Sequence, residues 1–559
     1  MQKGQLARVL DSRAFHGAVL AAGVAFLLIG AFHGNVWFDE SYSVGIAAHS
    51  FSEIWRIGAG DVHPVLFYWC LHALYLVFGT NVLVYRLFAV AGAAALAALG
   101  LTHVRPDYGP RAGVLFTALV CFAPYMAVIS TEIRMYSWAA FCVTLCFLSA
   151  LRVLRAVRRA AETGEALRIP ARLWAALFAS SLAAAYLHYF GALAAFAVNL
   201  VVLVGLIARI RTAKRPLAVF AAGCVAQVAA YLPWLATVAG QVAVVSNTYW
   251  ANVVFPDTYI ELATYPVIPS AMSFALRGSY GAAAQAASRA FVLLLAAAVA
   301  TALIVAAVRF VRRVPAPLHL TDASRAVMAA FAVYVGVAAL GFAASWAMGS
   351  FILYYRYLFV ALGPFLVGCA IMLAAVRPRQ AAGVAVAALV ACASLNMALL
   401  VHDNYDPANQ APLTAFDQAV AWAQEGVQDE RAEGDEAAAS TDADTASATV
   451  LSSDIGVEGV TAVLRPGVSQ VYLDWQPGNW ALSYEAYAPT LASVKSWDEA
   501  LARCGGRFVV IGQTSDGSVP RDVADLAARD DVSCVDVQTF YRPYERTYFT
   551  IARMEKTAA

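Results

Sequence analysis

Residues 64–79 read PVLFYWCLHALYLVFG, and the sidedness of everything downstream depends on whether they cross a bilayer. A full crossing of a hydrocarbon core about 30 Å thick takes about 20 apolar residues, so this run, opening on Pro64 and carrying His72, is short. The basic residues decide the matter. Arg152, Arg155, Arg158, Arg159, Arg168 and Arg172 cluster in one connection, and Arg209, Arg211, Lys214 and Arg215 in another. Arg309, Arg312 and Arg313, then Arg377 and Arg379, repeat the pattern. The positive-inside rule assigns these connections to the cytoplasm, together with the amino-terminal Lys3, Arg8 and Arg13. Both assignments hold only if 64–79 does not traverse. The sequence therefore predicts an interfacial or re-entrant helix there, on the outer face.

Around that helix the chain has the composition of a polytopic membrane protein. Of 559 residues, 61% are hydrophobic and 13% charged, about half the charge of an ordinary soluble domain. About eleven spans are expected, near 17–36, 82–102, 112–129, 134–151, 173–189, 191–208, 217–238, 289–308, 326–348, 352–374 and 381–401. A net charge of +1 with no basic tract gives no footing for nucleic acid. Seven of the nine cysteines lie in apolar runs and read as packing residues. Cys504 and Cys534 lie in the polar tail, where an oxidising compartment would let them pair.

The long outer connection 239–288 mixes aromatic and polar residues (SNTYWANVVFPDTYIELATYP) and reads as a segment lying partly on the membrane surface. After residue 401 the character changes. Residues 1–401 form the transmembrane part, 402–449 an acidic linker or insert, and 450–559 a small soluble α/β domain. Residues 425–449 are acidic, rich in Ala, Ser and Thr, and free of aromatics. Strands are expected at 461–464 (TAVL), 470–475, 507–512 and 547–553, with a helix over 493–504.

Charge at a membrane boundary is informative, because burying an ionised group there costs at least ~2.5 kcal/mol. Asp39 and Glu40 follow the first span in NVWFDESYSVG. Asp61 and His63 stand in GDVHPVLFYW, and Glu132, Arg134 and Tyr136 in STEIRMYSW. His188 and Tyr189 stand in YLHYFG, and Arg356 and Tyr357 in ILYYRYLF. The predicted topology puts all five segments at one face. Each has a plainer reading: Asp61 as a cap for the next helix, the arginines as interfacial anchors, and His72 as an interfacial aromatic.

Taken in order, FDESYS, DVHPVLFYW, TEIRMYSW, LHYFG, YLPWL at 231–235 and YYRYLF resemble the GT-C membrane glycosyltransferases of the glycosyltransferase 39 type. That group includes protein O-mannosyltransferases and the lipid A aminoarabinose transferase. The resemblance covers roughly 30–400. It departs at Val65, where a second proline is usual, and at Phe88, where the family tends to have proline; both bear on helix geometry. It implies a GT-C-like all-α membrane domain taking a hexose or pentose, mannose among the candidates, from a polyprenyl-phosphate donor. The sugar would pass with inversion to a hydroxyl of a protein, lipid or glycan, outside the cytoplasmic membrane. Asp39 would be the general base, with Glu40 beside it, and Arg134, Arg356 and Tyr357 would bind the donor phosphate. Asp61, His63, Glu132, Tyr136 and His188 would orient the acceptor. The resemblance leaves a divalent metal open, with Asp39, Glu40, Asp61 and His63 as ligand candidates. The competing class is a transporter or flippase of polyprenyl-linked sugars, disfavoured by charges at one face and by the lack of an internal repeat.

Overall fold

The structure is a computed structural model that describes residues 8–123, 125–248, 278–312, 321–376, 379–433, 448–474 and 484–557, with single positions 253, 258, 262 and 265. Half of the expected surface segment 239–288 and residues 434–447 of the expected linker lie outside the described residues. The chain divides into two compact units. The first comprises Met1–Phe32, Val62–Phe67 and Leu83–Leu400, and the second His33–Asp61, Tyr68–Val82 and Val401–Ala559.

The first unit is a helical bundle, and each of the eleven expected spans falls on a helix. Among the described residues seven helices are long and apolar enough to cross a membrane: Val82–Tyr108, Tyr136–Thr163, Tyr189–Ile207, Ile210–Val242, Asp322–Met348, Tyr355–Ala375 and Ala382–Asn404. Ala282–Arg312 is a further helix of 31 residues. Arg13–Leu28, Pro110–Cys121 and Ala171–Leu187 are shorter, at 16, 12 and 17 residues. The first helix thus stops eight positions before the expected boundary at 36. The expected span 112–129 is broken after Cys121 and resumes for one turn at Met126–Ile129, consistent with the proline in the intervening FAPY. Leu66–Phe78 has 13 residues, or roughly 20 Å of helix, too short to traverse a bilayer.

Helices pack closely in this unit where small residues or hydroxyls face a neighbour. A Cβ on Gly92 would stand 2.8 Å from Ser137 Oγ and 2.9 Å from Trp138 N. At the same crossing Ser137 Oγ donates to Ala89 O at 2.6 Å and Trp138 Nε1 to Phe88 O at 2.9 Å. The basic residues are tied by two aspartates. Asp107 accepts Arg152 Nε at 2.7 Å and Arg155 Nη1 at 3.1 Å, and Asp322 pairs with Arg155 at 3.1 Å and with Arg158.

The second unit is built on a six-stranded sheet with strand order β3-β2-β1-β4-β6-β5. The strands are β1 (Ala448–Ser452), β2 (Gln470–Leu473), β3 (Leu491–Val494), β4 (Cys504–Thr514), β5 (Val532–Arg542) and β6 (Thr547–Lys556). The first four run parallel, and β6 lies antiparallel between β4 and β5. Alternation along β4 explains why the sheet is covered on both faces. Phe508 and Val510 pack with Leu451, Val471 and Met554 on one side. Val509 and Ile511 pack with Val450, Phe549 and Phe416 on the other, where helix Ala411–Glu433 lies.

Two expectations are overturned here. Residues 461–464, read as a strand, end the helix Ile455–Leu464, which starts where Asp454 accepts Gly456 N at 3.0 Å. Cys504 and Cys534 are free thiols. They lie on β4 and β5, and β6 separates those strands. Two ladder spacings are roughly 9–10 Å, beyond the ~7 Å reach of a disulfide between Cα atoms.

Helix Phe38–Ile46 packs against Ile455–Leu464 in this unit. Ser41 Oγ and Tyr487 OH share a hydrogen bond of 2.9 Å, and Arg56 Nη1 donates to Glu485 at 2.5 Å. Glycine permits the contact: a Cβ on Gly459 would meet Tyr487 OH at 2.6 Å, and one on Gly45 would meet Ala486 O at 2.7 Å.

Candidate active site

In the first unit, four sequence-distant segments bring their predicted site residues together. Arg134 opens the way into helix Tyr136–Thr163 and is 2% exposed. Its Nη2 lies 2.9 Å from His63 Nε2. Arginine can only donate, so His63 Nε2 is the acceptor and the ring is neutral in this contact. Tyr136, two positions on, is buried, with its ring 5.4 Å from that of His188. His188 sits between helices Ala171–Leu187 and Tyr189–Ile207. Its Nδ1 accepts Phe190 N at 3.0 Å, which satisfies one orphan amide of the second helix. The same ring lies 6.4 Å from His63 and 5.1 Å from Tyr357.

Tyr357 and Arg356 belong to the 3₁₀ segment Tyr355–Ala361. The Arg356 guanidinium stands 5.4 Å over the Tyr354 ring, a cation–π arrangement that orients it. Glu132 is half-buried, and its carbonyl accepts Arg134 N at 2.7 Å.

Aromatic residues absent from the sequence prediction extend this group. Tyr265 stacks within 4.0 Å of Tyr125 and 5.5 Å of Tyr355. Its hydroxyl is buried without a hydrogen-bond partner among the described residues. Trp234, from the YLPWL segment, donates to Tyr189 OH at 3.1 Å, and Tyr189 bonds Gln241. A run of aromatics near a basic residue signals an interface belt equally well, so sequence alone does not single these out.

In the second unit, Asp39 and Glu40 occupy the first turn of Phe38–Ile46, where the helix dipole favours negative charge. Asp39 is half-buried and Glu40 fully buried. Glu40 Oε2 accepts Trp37 N at 3.4 Å and Tyr544 OH at 2.8 Å. Asp61 is buried at the carboxyl end of Phe51–Gly60, its amide bonding Ile57 O and Gly58 O. It closes that helix. His72 is buried, and its Nδ1 lies 3.0 Å from Ala47 O.

Among the described residues no three His, Cys, Asp or Glu side chains are grouped to hold a metal ion. His63 Nε2 is occupied by Arg134. No step below runs through a metal.

No family model matches this chain, and no curated protein does. Among solved structures it is similar to ArnT from Cupriavidus metallidurans bound to undecaprenyl phosphate. That likeness has 13% identity and a TM-score of 0.54, over 97% of this chain and 98% of that one. It is also similar to ArnT from the same organism in the apo state, at 14% identity and a TM-score of 0.48 over 96% and 98%. The first likeness establishes the fold: a GT-C-like helical membrane domain with a small α/β domain.

Proposed function

We propose that this protein is an integral membrane glycosyltransferase that takes a hexose or pentose from a polyprenyl-phosphate donor. It passes the sugar with inversion to a hydroxyl on the extracytoplasmic side of the cytoplasmic membrane. The observation that carries the reading is the convergence of His63, Arg134, Tyr136, His188 and Tyr357 from four segments within a bundle of this fold. The fold-matched structure holds undecaprenyl phosphate, which supports the donor class.

The chemistry accounts for the residue types. An acceptor hydroxyl is a weak nucleophile, and Asp39 takes its proton as the oxygen attacks the anomeric carbon. The bond from that carbon to the phosphate oxygen breaks, and the departing phosphate gains charge. Arg134 and Arg356 stabilise that charge through donors fixed in advance. His63 holds the Arg134 guanidinium in place, and the Tyr354 face holds Arg356. Glu40, Asp61, Glu132, Tyr136 and His188 are assigned to orienting the acceptor and sugar, and Tyr357 to the phosphate. A mannosyl donor is one substrate among those this reading covers.

The test is to incubate the purified protein with polyprenyl-phosphate sugars and follow release of polyprenyl phosphate. Release that stops in Asp39→Asn, with the variant folded and membrane-inserted, is the expected result. Full activity in that variant would remove Asp39 from the base role. Transbilayer movement of the intact donor without release would replace the enzyme by a flippase.

A further inference from the structure

We infer that the hairpin tip joining β5 to β6 is a positioning device for the acid-bearing helix Phe38–Ile46, with the Tyr544 hydroxyl as its working contact. The inference rests on the reading of Asp39 and Glu40 given above and assigns the C-terminal sheet a part in the reaction.

A nine-residue helix is marginal on its own, and its first turn, where Asp39 and Glu40 lie, has amides without intrahelical partners. Something outside it must fix its entry. Within the second unit that role falls to three successive contacts from residues 542–544. Arg542, 1% exposed, donates through Nη2 to Val36 O at 3.2 Å. Tyr544 OH donates to Glu40 Oε2 at 2.8 Å. The Tyr544 ring lies 5.0 Å from that of His33. The chain on both sides of the helix entry is thus held by one tip.

The tip itself is rigid for reasons visible in the same unit. β5 and β6 pair from Val532↔Lys556 to Arg542↔Thr547, so the tip continues a long ladder. Arg542 Nη1 pairs with Glu545 at 2.9 Å, and Tyr544 N donates to Asn409 Oδ1 at 2.9 Å. Arg546 has a φ of 57°, a left-handed conformation that costs a side-chain-bearing residue about 1–2 kcal/mol. Its guanidinium bonds Asp403 Oδ2 at 2.5 Å. A carboxylate that accepts a phenolic hydrogen bond at this distance is held in one place. Glu40 is located in this way, and Asp39 precedes it in the same turn.

The experiment compares the full-length wild type, Tyr544→Phe and Tyr541→Phe in detergent or nanodiscs. Tyr541 lies on the same hairpin, packs on Tyr548 and is exposed, so it controls for general effects on the sheet. Two readouts are taken. Hydrogen exchange of the amides of 38–43 is expected to speed up about tenfold or more in Tyr544→Phe and to stay at the wild-type rate in Tyr541→Phe. The kcat for polyprenyl phosphate release is expected to fall about tenfold to a hundredfold in Tyr544→Phe, with donor KM within about twofold. Unchanged exchange in Tyr544→Phe overturns the positioning role whatever the activity. Faster exchange with an unchanged kcat confines the tip to folding and overturns its part in the reaction. A wild type inactive on every polyprenyl-phosphate sugar overturns the proposed function, and with it the tip's part in that reaction, while exchange still decides the positioning.

Discussion

Arg134 and His63, 71 positions apart, meet as a guanidinium donating to a neutral imidazole at 2.9 Å. The contact fixes a cation where rotation would spoil its aim. Arg134→Lys is expected to lower kcat by about a hundredfold or more, because a point charge cannot reproduce the planar fork. His63→Ala, which removes only the acceptor that orients Arg134, should cost about tenfold. Both are read from polyprenyl phosphate release.

Glu458 gives a pH prediction. It is fully buried in Ile455–Leu464, and neither carboxyl oxygen has a partner among the described residues. Burial above all, then the nearby Asp454 and Asp522 carboxylates, hold its pKa well above the usual carboxylate range. A raised carboxyl pKa means that the unfolded chain releases this proton first. Stability is therefore lost as pH rises above the unfolded value of about 4.3, by up to ~1.4 kcal/mol per unit, until the folded group ionises. Glu458→Gln should flatten that slope, so that its Tm advantage over the wild type grows between pH 5 and pH 8. Asp454, raised by the same cause, keeps part of the slope in the variant. Thermal melts across that range check it.

Gly459→Ala and Gly45→Ala probe the docking of the acid-bearing helix. The new methyl groups would meet Tyr487 OH at 2.6 Å and Ala486 O at 2.7 Å. Each is expected to destabilise by about 1–3 kcal/mol, Gly45→Ala more, because its obstacle is backbone. A lowered melting temperature in the full chain is the readout.

Tyr189→Phe removes the hydroxyl that accepts Trp234 Nε1 at 3.1 Å and bonds Gln241. Leaving both partners buried without it should cost about 1–3 kcal/mol of stability. A melting temperature equal to that of the wild type would show the contact to be dispensable.

The spans are legible because an apolar run of bilayer length is rarely used for anything but crossing one, and the run at 64–79 is legible as too short for it. Strands β2, β4 and β6 are legible from their β-branched and aromatic residues. TAVL at 461–464 misleads because its composition suits a strand, while the helix signal lies seven residues earlier at Asp454. β1 is hidden beside the acidic run, and β5 has exposed residues of both parities, Val535 and Val537 as well as Gln538, which blurs its alternation. Among site residues, His63 and Arg134 announce themselves as charge at a helix boundary. Tyr544 does not: it lies 504 positions from Glu40, and no local pattern encodes so distant a contact. Tyr125 and Tyr265 look like any belt aromatics until their rings are seen 4.0 Å apart.

The insertion of β6 between β4 and β5 sets a clock on maturation. Residues 547–556 leave the ribosome after every other strand of the sheet, so the ladder that aims Tyr544 closes only once they arrive. A stop codon placed just before Thr547 would remove β6 and with it the ladder that continues into the Tyr544 contact with Glu40.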